Sequence, residues 1–175
     1  MTNLRAMVLS SAMTAVGLVL PPAFHAAGLG SHFLPLLLPL LLNGFLVPVR
    51  WAVLTGAVAP LLSSLLTGMP PIYPPIALAL SAEGAVLGGA AAALFGGGRR
   101  GVWTALVPAI LLGRVTAFAA AWLIAQSFAL PAALSAGALV AQGLPGVALQ
   151  LAVVPIAVRE LRKRPGLLFE HESEA

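Results

Sequence analysis

The chain has no cysteine, one tyrosine, and five acidic residues among 175. Without a thiol, disulfides and thiolate chemistry are excluded, and the redox compartment leaves no mark. Charge of either sign is scarce. Asp, Glu, Lys and Arg together make 8% of the chain, where a soluble domain carries about 25%. Such a chain cannot cover a water-facing surface, so lipid must be its main solvent. The histidines His25, His32 and His171 lack metal-site spacing, so no metal is expected. There is no Gly-rich phosphate loop, His-Glu-x-x-His pair or Gly-x-Ser-x-Gly elbow. The chain is therefore not expected to be an enzyme, to hydrolyse ATP by itself, or to hold a cofactor.

What is present is apolar sequence, 60% of the residues, in long runs. A spanning helix needs about 20 such residues. Six spans are read, at 4–20, 33–49, 51–66, 76–95, 102–126 and 138–158. The first is expected to stop at Pro21-Pro22. The second contains Pro35 and Pro39, and the third Pro60, so these two are short or interrupted. A signal peptide competes for the first segment, but no clean small-x-small cleavage site follows the run. The fold class is thus an all-α membrane protein, a six-transmembrane-helix bundle over 1–158. A cytoplasmic tail at 159–175 is expected to have no fold of its own.

Basic residues set the orientation. Arg5, Arg50, Arg99, Arg100, Arg159, Arg162, Lys163 and Arg164 fall at alternate gaps between spans. The other gaps, around 25–32, 67–75 and 127–137, hold no Lys, Arg, Asp or Glu. Lys and Arg are retained on the cytoplasmic side, so an even number of crossings with both termini inside follows. Orientation explains the net charge of +4 without nucleic acid as a partner.

Two charges lie within spans, Glu83 and Arg114. At 1.5 Å per residue Glu83 lies about 12 Å below the outer membrane edge, and Arg114 about 9 Å below it in a core of about 30 Å. They share a level on helices four and five. Gln150 falls near the midplane and Gln142 near the outer edge, both on helix six. His32 and Tyr73 lie in outer loops, and Asn43 in the inner half of helix two. An unpaired charge in lipid is costly, so each must face a partner, water or a ligand. Two readings fit: a structural ion pair, or a polar pocket in the outer half. Arg114 would suit a carboxylate or phosphate, which its planar fork binds bidentately. Glu83 would accept hydrogen bonds from an amine, amide or hydroxyl.

Small residues recur at four-residue spacing: Ala6 with Ser10 and Ser11 with Ala15 on helix one, Gly84 with Gly88 on helix four, and Gly113, Ala117 and Ala121 on helix five. Such faces let helices approach closely in lipid. On helices four and five internal packing explains them, while the face on helix one could receive a partner.

Several motifs lie close together in the stretch 25–84: Leu34-Pro35 followed by Pro39, Gly44-Phe45, Pro60-Leu61-Leu62-Ser63-Ser64, and Leu66-Thr67-Gly68-Met69-Pro70-Pro71 leading to Glu83-Gly84. This stretch resembles the substrate-binding S components of energy-coupling factor (ECF) transporters, which import vitamins and their precursors. The resemblance implies a high-affinity binding subunit in the plasma membrane of a prokaryote, with ligand near the extracellular side between helices four to six and the outer loops. Glu83, Arg114, Gln150, Gln142, Tyr73 and His32 are then the substrate-binding candidates, and pantothenate, cobalamin or a precursor the candidate ligands. It also implies a transmembrane coupling protein and two cytoplasmic ATPases as partners. In that family an Ala-x-x-x-Ala pattern on helix one contacts the coupling protein; Ala6, Ser10, Ser11 and Ala15 are the corresponding candidates. The chain departs from the strict Ala/Ala pattern. It also carries Leu36-Leu37-Leu38 between the prolines of helix two, where related sequences often have polar residues. The alternatives are a stand-alone ion-coupled carrier or channel using the Glu83/Arg114 pair, and a membrane scaffold that binds helices but no small molecule.

Overall fold

The computed structural model describes residues 3–26, 28, 33–73, 75–96, 100–128, 141 and 143–163. Among them the chain is helical with no strand. The helices are α1 (Asn3–Ala26), α2 (Leu37–Leu46), α3 (Val49–Thr67), α4 (Ile76–Phe95), α5 (Val102–Phe128) and α6 (Leu144–Arg162). All except α2 are long and apolar enough to cross a membrane. The tail from 164 onward, with Arg164 and the terminal glutamates, lies outside the described residues, as does Arg99.

Three helices differ from the sequence expectation. α1 does not stop at Pro21-Pro22 but runs through both to Ala26. A proline loses one ladder hydrogen bond and crowds the carbonyl four residues back, yet its fixed φ suits a helix. Near a helix end the loss is small enough for one more turn to form. α2 has 10 residues, about 15 Å, which is half the hydrocarbon core. The segment before it is a turn, because Leu34 has φ +43° and Pro35 follows it. Pro39 falls in the first turn of α2, where no intrahelical donor is needed. α6 runs to Arg162, past the expected end near Val158.

α2 and α4 form the centre. Leu37, Leu40, Leu41 and Phe45 of α2 are at most 1% exposed, as expected of a helix that is apolar all round. α2 packs against α1, α3, α4 and α6, while α4 packs against α2, α3 and α5. Close approach is achieved by glycine. A Cβ on Gly84 of α4 would lie 2.7 Å from the Gly56 carbonyl of α3, and one on Gly44 of α2 2.5 Å from the Gly88 carbonyl of α4. Without a hydrophobic drive between helices in lipid, such close van der Waals contact is what holds them.

One end of the bundle is basic. Ala6, Leu46, Val47, Ala52 and Ala92 form one cluster with Leu161 against it. It joins the start of α1 and α3 to the end of α2, α4 and α6. Arg50 donates to the Asn3 side chain there. Arg162 lies 5.0 Å over the Phe95 ring, and its guanidinium donates to the Arg100 carbonyl at 3.4 Å.

Candidate functional site

Glu83 stands one residue before the Gly56–Gly84 crossing, on the side of α4 that faces α5. On α5, Gly113 packs against Leu87 of α4, with a Cβ there only 3.2 Å from the Leu87 Cβ. That approach brings the next residue, Arg114, against Glu83, and Arg114 Nη2 forms an ion pair with Glu83 Oε1. The Glu83 side chain is 2% exposed and that of Arg114 13%. The two charges thus meet at one level, as their spacing along the spans predicts.

The pair lies at the wall of a cavity of about 60 Å³, whose other lining residues are Leu34, Ile76, Ala79, Leu80, Ala117 and Ala121. By the same measure a water needs about 10–15 Å³, so the cavity takes a few water-sized groups. Its walls are apolar, apart from the ion pair. Ile76, Ala79 and Leu80 precede Glu83 by seven, four and three positions; Ala117 and Ala121 follow Arg114 by three and seven. The helical period around the two charges therefore carried a signal for these five. Leu34 had none, because it reaches the cavity through a left-handed backbone that its residue type does not favour.

Of the remaining substrate-binding candidates, the two that are described, Gln150 and Tyr73, do not converge on the pair. Gln150 is buried, 3% exposed, and shares a face of α6 with Gly146 and Val154. That face meets the 33–36 turn and α2: a Cβ on Gly146 would collide with the Phe33 carbonyl. Tyr73 is exposed, and its ring meets Phe128 edge-on with centroids 6.1 Å apart, tying the 68–75 connection to the end of α5. His32 and Gln142 lie outside the described residues. On α1, Ala6 and Ser10 are buried, while Ser11 and Ala15 are exposed. The Ser10 hydroxyl accepts a 3.3 Å hydrogen bond from Asn43 Nδ2 of α2.

The connection after α3 is held firmly. Ser63 Oγ donates to the Met69 carbonyl and Ser64 Oγ to the Pro70 carbonyl, each at 2.6 Å. Gly68 ends α3 at φ +71°, a left-handed cap where a side chain would be strained. The motif Ser63-Ser64…Gly68-Met69-Pro70 thus shapes a loop beside the N-terminus of α4, which carries Ile76 and Ala79 of the cavity wall. Among the described residues no group of His, Cys, Asp or Glu could hold a metal ion.

A family model described as "ECF transporter, substrate-specific component" matches residues 5–158. No curated protein and no solved structure matches the chain.

Proposed function

The chain belongs to the substrate-specific components of ECF transporters, and from that premise we propose that it captures a vitamin or vitamin precursor at the Glu83–Arg114 cavity for an ATP-driven importer. As a member of that family it is a multi-pass membrane protein and a substrate-binding transport subunit rather than an enzyme. On our reading the turn 33–36 and α2 together make the second of six crossings, and both termini are cytoplasmic. The support is the basic end of the bundle, where Arg5, Arg50, Arg100, Arg159, Arg162 and Lys163 gather, since Lys and Arg are retained inside. The cavity end then faces outward, in the plasma membrane of a prokaryote.

The observation that carries the reading is a buried ion pair at the wall of a cavity, in a chain of this family. Ligand pockets for vitamin-sized molecules measure about 300 Å³ or more, so the ligand-bound state is wider than this one. Pantothenate and cobalamin-type precursors remain the candidate ligands. Gln150, Tyr73, His32 and Gln142 are proposed to complete the enclosure when the cavity widens. A transmembrane coupling protein and two ATPases supply the energy, with ATP hydrolysed in those partners. Ser11 and Ala15, on the outward face of α1, are the residues free to meet the coupling protein; Ala6 and Ser10 set the helix on α2 and α3 behind them. The subunit then topples in the membrane to release ligand inside, a movement made less costly by how few charges would cross lipid.

The test is mass spectrometry of gently purified protein, parent against Arg114→Ala, together with uptake in cells with and without the partner subunits. A single vitamin-like mass that is lost in the variant, with uptake that needs both partners and ATP, is the expected result. Equal ligand retention by Arg114→Ala would move the pocket elsewhere. Uptake by the chain alone, driven by an ion gradient, would replace this reading with a stand-alone carrier.

A further inference from the structure

The charge balance of the cavity narrows the class of ligand, on the reading that the cavity is the ligand site. Every other described Lys, Arg and Glu lies at the basic end of the bundle: just before α5, in the last turn of α6 or just after it, or at the start of α1 and α3. At the cavity, among the described residues, Arg114 and Glu83 therefore have only each other as charged partners, and their charges cancel. Around the pair itself the lining is Leu, Ile and Ala, which offers no dipole to solvate a third charge there; Gln150, Tyr73, His32 and Gln142 are proposed to close over other parts of the ligand. An added carboxylate would leave a net negative charge among these walls, or would have to expel Glu83 into them. Either is strongly unfavourable in a low-dielectric site.

The pair is nevertheless rich in unused hydrogen-bonding capacity. A guanidinium has five N–H donors and a carboxylate several acceptor positions, while the ion pair uses Arg114 Nη2 and Glu83 Oε1. Among the described residues neither side chain has a further hydrogen-bond partner. A donor set and an acceptor set thus stand side by side in the cavity wall with no net charge, nearly covered by apolar neighbours here and met by a ligand once the cavity widens. The complementary group has a carbonyl beside an N–H or O–H. We infer that Glu83 is a specificity-determining residue: it acts as the built-in counter-anion of Arg114, so that the site accepts an uncharged amide, ureido or imide group and turns away a carboxylate. This differs from the affinity for acids that Arg114 alone would have.

Small probes test this without knowledge of the natural ligand. The full chain in detergent would be melted in the presence of acetate, acetamide, and chloride at matched ionic strength. Parent, Glu83→Gln and Glu83→Gln/Arg114→Gln would be compared. The parent should show no stabilisation by acetate beyond that of chloride. Glu83→Gln leaves Arg114 without a counter-anion, so acetate should raise its melting temperature by about 3 °C, and acetamide by less. The double variant should lose this response. Acetate stabilising the parent and Glu83→Gln alike, or leaving Glu83→Gln unmoved, would overturn the inference. If Glu83→Gln fails to accumulate, growth with acetate should restore it; loss with and without acetate, while the double variant accumulates, also overturns it. The retained ligand in the parent gives an independent decision: a molecule held at the pair by a carboxylate overturns the inference, and one held by an amide-type group supports it. Should the parent hold no ligand at all, the transport reading fails, while the acetate switch still decides the role of Glu83.

Discussion

At the basic end of the bundle, Phe45 of α2 and Phe95 of α4 meet edge-on with centroids 4.9 Å apart, and Arg162 covers the Phe95 ring. At the opposite end, the corresponding layer of α4 and α5 holds an ion pair and a cavity walled by alanine, leucine and isoleucine. Both ends are cut from the same apolar helices. The basic end is filled by large rings in the core, and its charges stay at the water boundary, where they cost little. The cavity end has small side chains where the rings would be, and it carries its charges inside. A membrane helix holds an ionised group at depth only at considerable cost, so the uneven distribution of rings and charges separates a part that maintains the bundle from the part proposed to meet a ligand.

The strongest way to break this contrast is Arg114→Ala. Removing one partner of a buried pair leaves the other charge uncompensated, at a cost of about 3–5 kcal/mol. Thermal unfolding in detergent should show a large loss, with much of it recovered in Glu83→Gln/Arg114→Gln. A double variant no more stable than Arg114→Ala would mean that the pair is not electrostatically coupled.

Phe95→Ala acts on the other end. Emptying a ring-sized site in a packed core costs about 3–5 kcal/mol in water-soluble proteins. In lipid the transfer part of that cost shrinks, because tails are as apolar as the core, and about 2–4 kcal/mol is expected here. The variant should melt early but keep whatever small molecule the parent retains, in contrast to Arg114→Ala. Loss of both stability and ligand would show that the two ends are not separable.

How far the sequence revealed these two regions depends on what each feature needs. The long helices were legible from apolar length, and the shared level of Glu83 and Arg114 from 1.5 Å per residue, since depth is counted along one axis. Rotation about that axis is not. Gln150 has the depth of a midplane amide, yet its face of α6 meets α2 and the 33–36 turn rather than the ion pair. The outer half of the second span was misread because Leu34 turns into the left-handed region before Pro35, a conformation that leucine does not advertise. The extra turn of α1 past Pro21-Pro22 was misread for the opposite reason: proline marks a lost hydrogen bond, but not whether the helix end tolerates it. Glycine's role at the Gly56–Gly84 crossing follows from a contact between spans, which no single-span pattern contains.

A smaller effect should come from the loop that borders the cavity end. Ser63→Ala and Ser64→Ala each remove one hydroxyl donor to the 69–70 carbonyls, worth about 1 kcal/mol apiece. The global melting temperature should fall slightly, while hydrogen exchange in the 68–73 connection should rise more than in α4 or α5. Equal exchange in parent and variants would mean that the loop is held by its proline backbone rather than by the serines.

The smallest effect is expected at Arg162. Its cation–π contact with Phe95 and its bond to the Arg100 carbonyl lie at a water boundary, where such a contact is worth about 0.5–1 kcal/mol. Arg162→Gln should therefore cost little stability. It should also leave orientation unchanged, because Arg5, Arg50, Arg100, Arg159 and Lys163 still mark the same end and the bias is set by the sum of Lys and Arg. The absence of native cysteine makes the check direct. A single cysteine at Ser127, near the end of α5 opposite the basic residues, should react with an impermeant thiol reagent added outside intact cells, equally in parent and Arg162→Gln. Labelling only after the membrane is opened would invert the proposed orientation, and with it the proposed side of ligand entry to Glu83 and Arg114.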